Sequence, residues 1–503
     1  MTADAIVVGA GPNGLAGAVT LAQAGLSVTV LEAAATIGGG TRSGEVTVPG
    51  LLHDHCAAVH PMAVASPYLR TLGLERHGLR WEHAETALAH PLDGGHAAVL
   101  QRDLAATVRG LGVDGPAWRR LFAPLTAHYD ALSEDLMRPL ARLPRHPVLT
   151  GRFGLLAAQP TQWTLRRWRD QAARALFAGI AAHALQPLAA PGSSAIGLML
   201  TAAAHRHGWP VARGGSQAIT HALAARLVEL GGTIETGTPV RSLPDLPPAR
   251  TILLDLAPHA AARVCGPRLP ARVRRAYTDY RHGPAAYKVD LAVEGGVPWR
   301  AEACRKAGTV HLGGTAEEIA EAEQAASRGR MPQRPFVLVA QQYLADPGRS
   351  AGDIHPVWAY AHVPHGYDGD ATAAVLDRIE QYAPGLRDRV VGLSTRSPAQ
   401  LEAYNPSYVG GDILTGANSL ASLAFRPRPA LDPYATGIPG VYLCSAATPP
   451  GAGVHGMCGH NAARSALREL GLTVAAPGRR HAGSRTQAQR QKERGGRQTG
   501  RVR

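Results

Sequence analysis

Cysteine is sparse and scattered. The five residues, Cys56, Cys265, Cys304, Cys444 and Cys458, are odd in number, and no two form a C-x-x-C. That spacing excludes a disulfide framework, a zinc ribbon and a thioredoxin-like redox pair, and predicts a reducing, cytoplasmic setting. No apolar run approaches the roughly 18 residues a membrane helix needs. Met1-Thr2-Ala3-Asp4 leads straight into an apolar strand, so no secretory leader is expected. Aromatic residues make up only 5% of the chain. Of the 52 basic residues only three are lysine: Lys288, Lys306 and Lys492.

Acid is also in short supply. Against 52 Lys+Arg stand 38 Asp+Glu, giving a net charge of +14. Such a balance suggests a nucleic-acid or membrane-surface protein, but its distribution argues otherwise. From Gly478 to Arg503 there are nine basic residues and one acid, Glu493, so eight of the 14 positive charges lie in one Gly/Gln/Arg-rich tail. The tail over 478–503 has no apolar periodicity and is expected to be disordered. The body is mildly basic, and no specific nucleic-acid binding is expected of it. The 503 residues, 45% hydrophobic and 18% charged, are enough for two or three folded domains.

What is present is glycine in a defined order. Ala5-Ile6-Val7-Val8 reads as a buried parallel strand and runs into Gly9-Ala10-Gly11-Pro12-Asn13-Gly14, a G-x-G-x-x-G. A helical stretch to Ala24, Gly25 as its stop, a strand to Leu31 and then Glu32 follow. Gly9 allows the tight turn, Gly11 lets backbone approach a pyrophosphate, and Gly14 lets helix and strand pack closely. Phosphate sits at the helix N-terminus beside Pro12 and Asn13, and Glu32 takes the ribose hydroxyls, which favours FAD or NAD over NADP. Near the other end, Gly451-x-Gly453-x-x-Gly456 has the same form. Only Leu472-Thr473-Val474 precedes the tail, which leaves no room for a second strand and ribose acid.

After Glu32, the run Ala33 to Ser43 with Gly38, Gly39, Gly40, Thr41 and Arg42 resembles the E-x5-G-G extension of glutathione-reductase-like FAD proteins, a group that includes amine oxidases and carotenoid desaturases. Further stretches are similar to the phytoene-dehydrogenase-like flavoproteins. They are His205 to Ser216, Gly283 to Asp290, Gly308 to Gly314, Trp358 to Pro364, Asn405 to Asp412 and Thr448 to Gly459, and the resemblance spans roughly residues 4 to 475. It implies an α/β fold: a discontinuous, glutathione-reductase-like, Rossmann-like FAD-binding domain (1–75, 205–275 and 410–477) with an inserted α+β substrate domain (76–204 and 276–409). It implies that Gly39, Gly40, Thr41 and Arg42 line FAD, that Val240 approaches the adenine, and that Ser445, Gly453, Val454 and Gly456 close over the cofactor.

The implied activity is that of an FAD-dependent oxidoreductase passing hydride from an apolar substrate to flavin N5, phytoene-desaturase-like. The acceptor would be O2 or a quinone, because no separate nicotinamide site is visible. An amine or imino-acid oxidase on the same fold, or a flavin-binding protein acting through partners, remain alternatives. Lys288 resembles the lysine that holds water beside N5 in amine oxidases, although it shares a strand face with Asp290 and could simply pair with it. His455 is expected near the flavin rather than as a general base. His53-Asp54-His55-Cys56 with His60 is read as a flavin-adjacent loop with Asp54 as its acid, and no metal is expected. His311, His362 and Asn405 are either pocket or structural residues. The apolar stretch 172–200 could line a substrate tunnel, touch a membrane peripherally or pack helix on helix. With no aromatic in Ala446–Pro450, an amine substrate is disfavoured.

Overall fold

Alternation along the first strand fixes the nucleotide-binding half. The computed structural model describes residues 3–140 and 142–473; the tail over 478–503 lies outside the described residues. In Ala5–Val8 every residue is buried. Ala5 and Val7 point into one apolar layer with the helix Pro12–Gln23, while Ile6 and Val8 point into another with Ala261, Val264 and Tyr277. Both faces are therefore covered, as a parallel sheet requires. Five parallel strands stand in the order Val441–Leu443, Thr251–Leu254, Ala5–Val8, Val28–Leu31, Thr233–Glu235. Strands distant in sequence thus meet in one sheet. Val211–Ala212 lies outside it, paired with Trp81–Glu82.

The helix Met457–Glu469 packs across Pro12–Gln23 on one face. The crossing is close because it passes over glycine: a Cβ on Gly459 would lie 1.7 Å from the Asn13 carbonyl oxygen. Gly25, at φ +88°, ends the first helix in the left-handed conformation its position predicts.

A seven-stranded mixed sheet forms the second half, drawn from residues 86–100 and 285–396. Its long central strands, Ala285–Glu294 and Ile354–Val363, pair antiparallel over ten residues each. One face carries Val289, Leu291 and Ala359 against the helix Thr372–Tyr382. The other carries Leu338, Trp358 and Tyr360 toward the helices Gln171–Ala181 and Ser194–His207. The apolar stretch 172–200 is therefore two buried helices joined by a short turn. Ile196, Met199 and Leu200 stand on the wall of the large internal cavity.

Candidate active site

A cavity of about 1270 Å³ runs from the glycine loop into the space between the two sheets. A cleft for one ordinary ligand spans roughly 300–1,000 Å³, so this one has room for a dinucleotide and a second molecule. The loop at its outer end is held by backbone geometry. Gly9 adopts φ +102°, and a Cβ on Gly14 would fall 2.0 Å from the Gly9 carbonyl oxygen. The helix starts with Pro12 in its first turn and Gly11 as a cap without a side chain; Pro12 has no amide hydrogen and Asp255 takes the Gly14 N–H, which leaves the Asn13 N–H for an anion. The Asn13 Oδ1 is buried with no partner.

Glu32 ends the second strand and faces the cavity. Its carboxylate accepts from the Ala10 N–H at 2.7 Å and the Ala34 N–H at 2.9 Å, and Arg42 stands 3.5 Å away. Gly39, Gly40 and Thr41 line the same wall. Here glycine is obligatory, since a Cβ on Gly40 would meet the Tyr408 hydroxyl at 1.8 Å. Tyr404 donates to the Gly39 carbonyl at 3.1 Å and lies between the Arg42 and Arg396 guanidinium groups. Ser445, Gly453, Val454 and His455 close the cavity from the far end of the chain, and Val240 enters beside Pro239. Gly9, Gly11, Pro12 and Asn13 share this cavity with them; of the cofactor and catalytic candidates, only Gly14, Gly456 and Lys288 do not line it.

The residues 7–72 match the family model of an NAD(P)-binding Rossmann-like domain. Over 93% of this chain and 94% of its relative, the sequence is 26% identical to pyridine nucleotide-disulfide oxidoreductase domain-containing protein 2 of Rattus norvegicus. A hydroxyneurosporene desaturase of Cereibacter sphaeroides is 32% identical over 47% of this chain and 49% of that one. Among solved structures, putrescine oxidase bound to putrescine superposes with a TM-score of 0.60 at 20% identity, over 94% of this chain and 98% of that one. The chain is thus similar along most of its length to an oxidoreductase domain-containing protein, and over about half of it to a desaturase.

In this oxidoreductase three candidate residues have settings that the sequence did not show. Lys288 is buried, not on a surface, and is ion-paired with Asp290. Strand periodicity puts the two on one face. Burial favours the neutral amine, Asp290 opposes this, and the net effect is a lowered lysine pKa. The ammonium lies 5.4 Å from the Trp358 ring centroid, and Trp358 and Cys56, not Lys288, line the cavity.

Asp54 is likewise no cavity acid. Burial alone would raise its pKa, but the Arg349 guanidinium, at 2.6 Å, and hydrogen bonds from the Ser216 N–H and Ser43 hydroxyl bring it down to about 2. His53 sits 3.4 Å from Asp290, and His60 bonds Ser216 at 2.7 Å. These histidines serve the interior and do not converge on a common ligand position. His455 is fixed too: its Nδ1 accepts from the Met457 N–H at 3.1 Å, and burial lowers its pKa to about 4 despite the carbonyls of Ala452 and Gly451. A neutral ring held at Nδ1 shapes the loop rather than moving protons. His362 is paired with Glu323 at 2.6 Å, while Asn405 lines the cavity.

Asp255, just past the strand Thr251–Leu254, is a site residue that no motif in the sequence marks. Its carboxyl accepts from the Gly14 N–H at 2.8 Å. A methyl on Gly11 would lie 2.8 Å from its Oδ2, so Gly11 is required by Asp255 before any ligand arrives. Burial raises the Asp255 pKa to about 7, with the Glu32 charge adding and the Gly14 bond opposing. A folded-state pKa raised above the unfolded value means stability that is full at low pH and is lost as pH rises toward 7. From about pH 5 to pH 7 the protein should lose up to about 1.4 kcal/mol per unit. In urea titrations Asp255→Asn is expected to flatten that slope. An unchanged slope would show that another group carries it.

Proposed function

We propose that the chain is an FAD-dependent oxidoreductase that takes hydride from a carbon–hydrogen bond of an apolar substrate, in the manner of phytoene desaturases. The residues present fit the cofactor. The Asn13 N–H at the helix start, the unpartnered Asn13 Oδ1 and the Glu32 carboxylate lie along one wall, with glycines where side chains would fill it. FAD, when bound, supplies the hydride acceptor. Gly11 and Asn13 would hold its pyrophosphate, Glu32 a ribose, and the loops Gly39–Arg42 and Ser445–Val454 would fix its orientation. Lys288, held by Asp290 behind the Trp358 ring, would bias the field on that side of the chamber. Electrons would leave to O2 or a quinone.

The observation that carries the apolar reading is the wall of the inner chamber. Ile196, Met199, Leu200, Trp209, Leu338, Trp358 and Tyr360 line it. Among the described residues the cavity's carboxylates are Glu32 and Asp255, at the glycine loop, and Asp135, which is tied to Arg138 and to the amides of Arg145 and His146. None is left for an alkylammonium. The edge-to-face pair Trp358–Tyr360, with centroids 5.0 Å apart, would suit a cation, but Trp358 already faces the Lys288 ammonium.

Anaerobic mixing of the flavin-loaded protein with isoprenoids, amines and saturated cyclic acids tests this reading. Loss of flavin absorbance with an isoprenoid and not with amines is expected. Bleaching by amines, followed by peroxide release in air, would replace it with the amine-oxidase reading.

A further inference from the structure

In the apolar chamber two polar atoms that protein does not enclose have no partner among the described residues; the unpartnered Trp358 Nε1 is enclosed. His183, on the short turn after the helix Gln171–Ala181, lines the cavity. Its Nε2 lies 3.1 Å from the His311 Nε2, and its Nδ1 has no partner among the described residues and is not enclosed by protein. The Tyr360 hydroxyl, also on the cavity wall, makes no hydrogen bond to a described residue and is not enclosed either. Both belong to one floor. His311, Leu338 and Tyr360 are successive cross-strand partners in the seven-stranded sheet, and the His183 ring lies tilted against the first of them with ring centroids 5.0 Å apart. The neighbours Trp209, Leu338 and Trp358 offer this space only apolar surface, because the Trp209 N–H is spent on Thr309 at 3.1 Å.

The proton positions follow from which atoms are orphaned. The His311 Nδ1 is buried and unpartnered. A buried N–H without an acceptor is costlier than a lone pair without a donor. His311 therefore carries its hydrogen on Nε2 and donates it to His183 Nε2. A neutral His183 then holds its own hydrogen on Nδ1, directed at the chamber. Burial keeps both rings neutral: it lowers the His183 pKa to about 3 and holds that of His311 well below the usual imidazole value. The chamber thus offers a fixed N–H donor and a phenolic hydroxyl in an otherwise apolar wall. Empty of partners, each costs about 1–3 kcal/mol in a dry site. A ligand oxygen would recover that.

We propose that the substrate is a hydrocarbon skeleton bearing one hydrogen-bond-accepting oxygen, a carbonyl or hydroxyl, which His183 binds, with Tyr360 as the second polar contact and His311 as the residue that positions His183. This rests on the apolar-substrate reading above and narrows it, since a pure hydrocarbon would leave both groups unpaired. A site built to hydrogen-bond an oxygen discriminates strongly against the analogue without it.

The test is ligand binding, not turnover. Menthone and p-menthane, and 2-dodecanone and dodecane, form pairs that differ only in the oxygen. Their affinities for the FAD-loaded protein can be read from perturbation of the flavin spectrum, and for the flavin-free protein from the thermal shift. At least one ketone should bind about tenfold or more tighter than its hydrocarbon, equivalent to 1.4 kcal/mol. His183→Phe should remove most of that preference and Tyr360→Phe part of it, the ketone losing more affinity than its hydrocarbon in each. His183→Gln, which keeps a donor, should retain more preference than His183→Phe. Equal affinity for ketone and hydrocarbon in the wild type, equal weakening of both in the variants, or no ketone binding would each overturn the proposal. A protein that carries no FAD but still prefers the ketone by thermal shift would sink the cofactor reading and leave this one standing.

Discussion

Gly14→Ala should yield a folded protein that purifies nearly colourless. The added methyl would fall 2.0 Å from the Gly9 carbonyl oxygen and 3.1 Å from the Asp255 carboxylate. Neither Gly9 nor the strand behind it can retreat. Ala5–Val8 is hydrogen-bonded on both sides, and the Gly9 N–H is fixed to the Leu31 carbonyl at 2.8 Å. The helix start must move instead, and with it the amides of the first turn. Overpacking of this kind costs about 1–3 kcal/mol, and most of it falls on the loop that would hold the pyrophosphate. Each 1.4 kcal/mol charged to the bound state lowers affinity about tenfold, so affinity for FAD should fall by about five- to 150-fold and occupancy with it, while far-ultraviolet circular dichroism stays near that of the wild type. Gly154→Ala is the control: Gly154 also borders the cavity, has nothing within 4 Å of its Cβ direction and needs no special backbone angle. A yellow Gly14→Ala protein with full occupancy would remove the cofactor from this loop.

Arg349→Met should cost about 3–5 kcal/mol of stability, the usual penalty for stranding a buried charge. The Arg349 side chain is 0% exposed and binds Asp54 at 2.6 Å, Asp346 at 3.0 Å and the Ala212 carbonyl at 2.6 Å. Asp54 in turn receives the Ser216 N–H and the Ser43 hydroxyl, and Asp346 the Gly214 N–H at 2.8 Å. One guanidinium thus ties the loop after the glycine extension to the 211–216 turn and to a turn of the second sheet. Because the Asp54 pKa is depressed to about 2 from 3.8, its stabilising contribution is complete above about pH 4 and disappears as pH falls from there toward 2. The wild type should therefore show a steep acid limb that Arg349→Met lacks. Adding Asp54→Asn to the variant should restore part of the loss in denaturant titrations. A variant within 1 kcal/mol of wild type would mean that water, not Arg349, neutralises the pair.

The nucleotide half was legible because its constraints are local. A positive φ at Gly9, a carbonyl pressed on Gly14, and an acid closing the second strand each follow from a few adjacent residues. The inner chamber was not legible for the opposite reason. His183 and Tyr360 are 177 positions apart and meet one cavity only through the register His311–Leu338–Tyr360. Sequence periodicity assigns a residue to a face but does not say what covers that face. Lys288 shows this. Its sharing a face with Asp290 was readable, but its burial depended on helices from elsewhere in the chain. The low aromatic count likewise said nothing of placement: Trp209, Trp358, Tyr360, Tyr404 and Tyr408 are few, yet all border the cavity. Asp255 escaped notice because its partner, the Gly14 amide, lies 241 residues away.

The order of strands in the parallel sheet also sets a timetable. The strand that opens the chain is flanked by Thr251–Leu254, whose outer neighbour is Val441–Leu443, and the first helix is covered by Met457–Glu469. During synthesis at about 5–20 residues per second, the glycine loop must wait for some 450 residues to follow it before its crevice has all its walls. Until then the apolar layers around Val7 and Leu253 lie open, with pairings of very long sequence separation still to form, the slow kind. A chain that stalls late would carry a complete G-x-G-x-x-G and still be unable to keep a cofactor, so on the proposed reading capture of the flavin would mark the end of folding rather than its beginning.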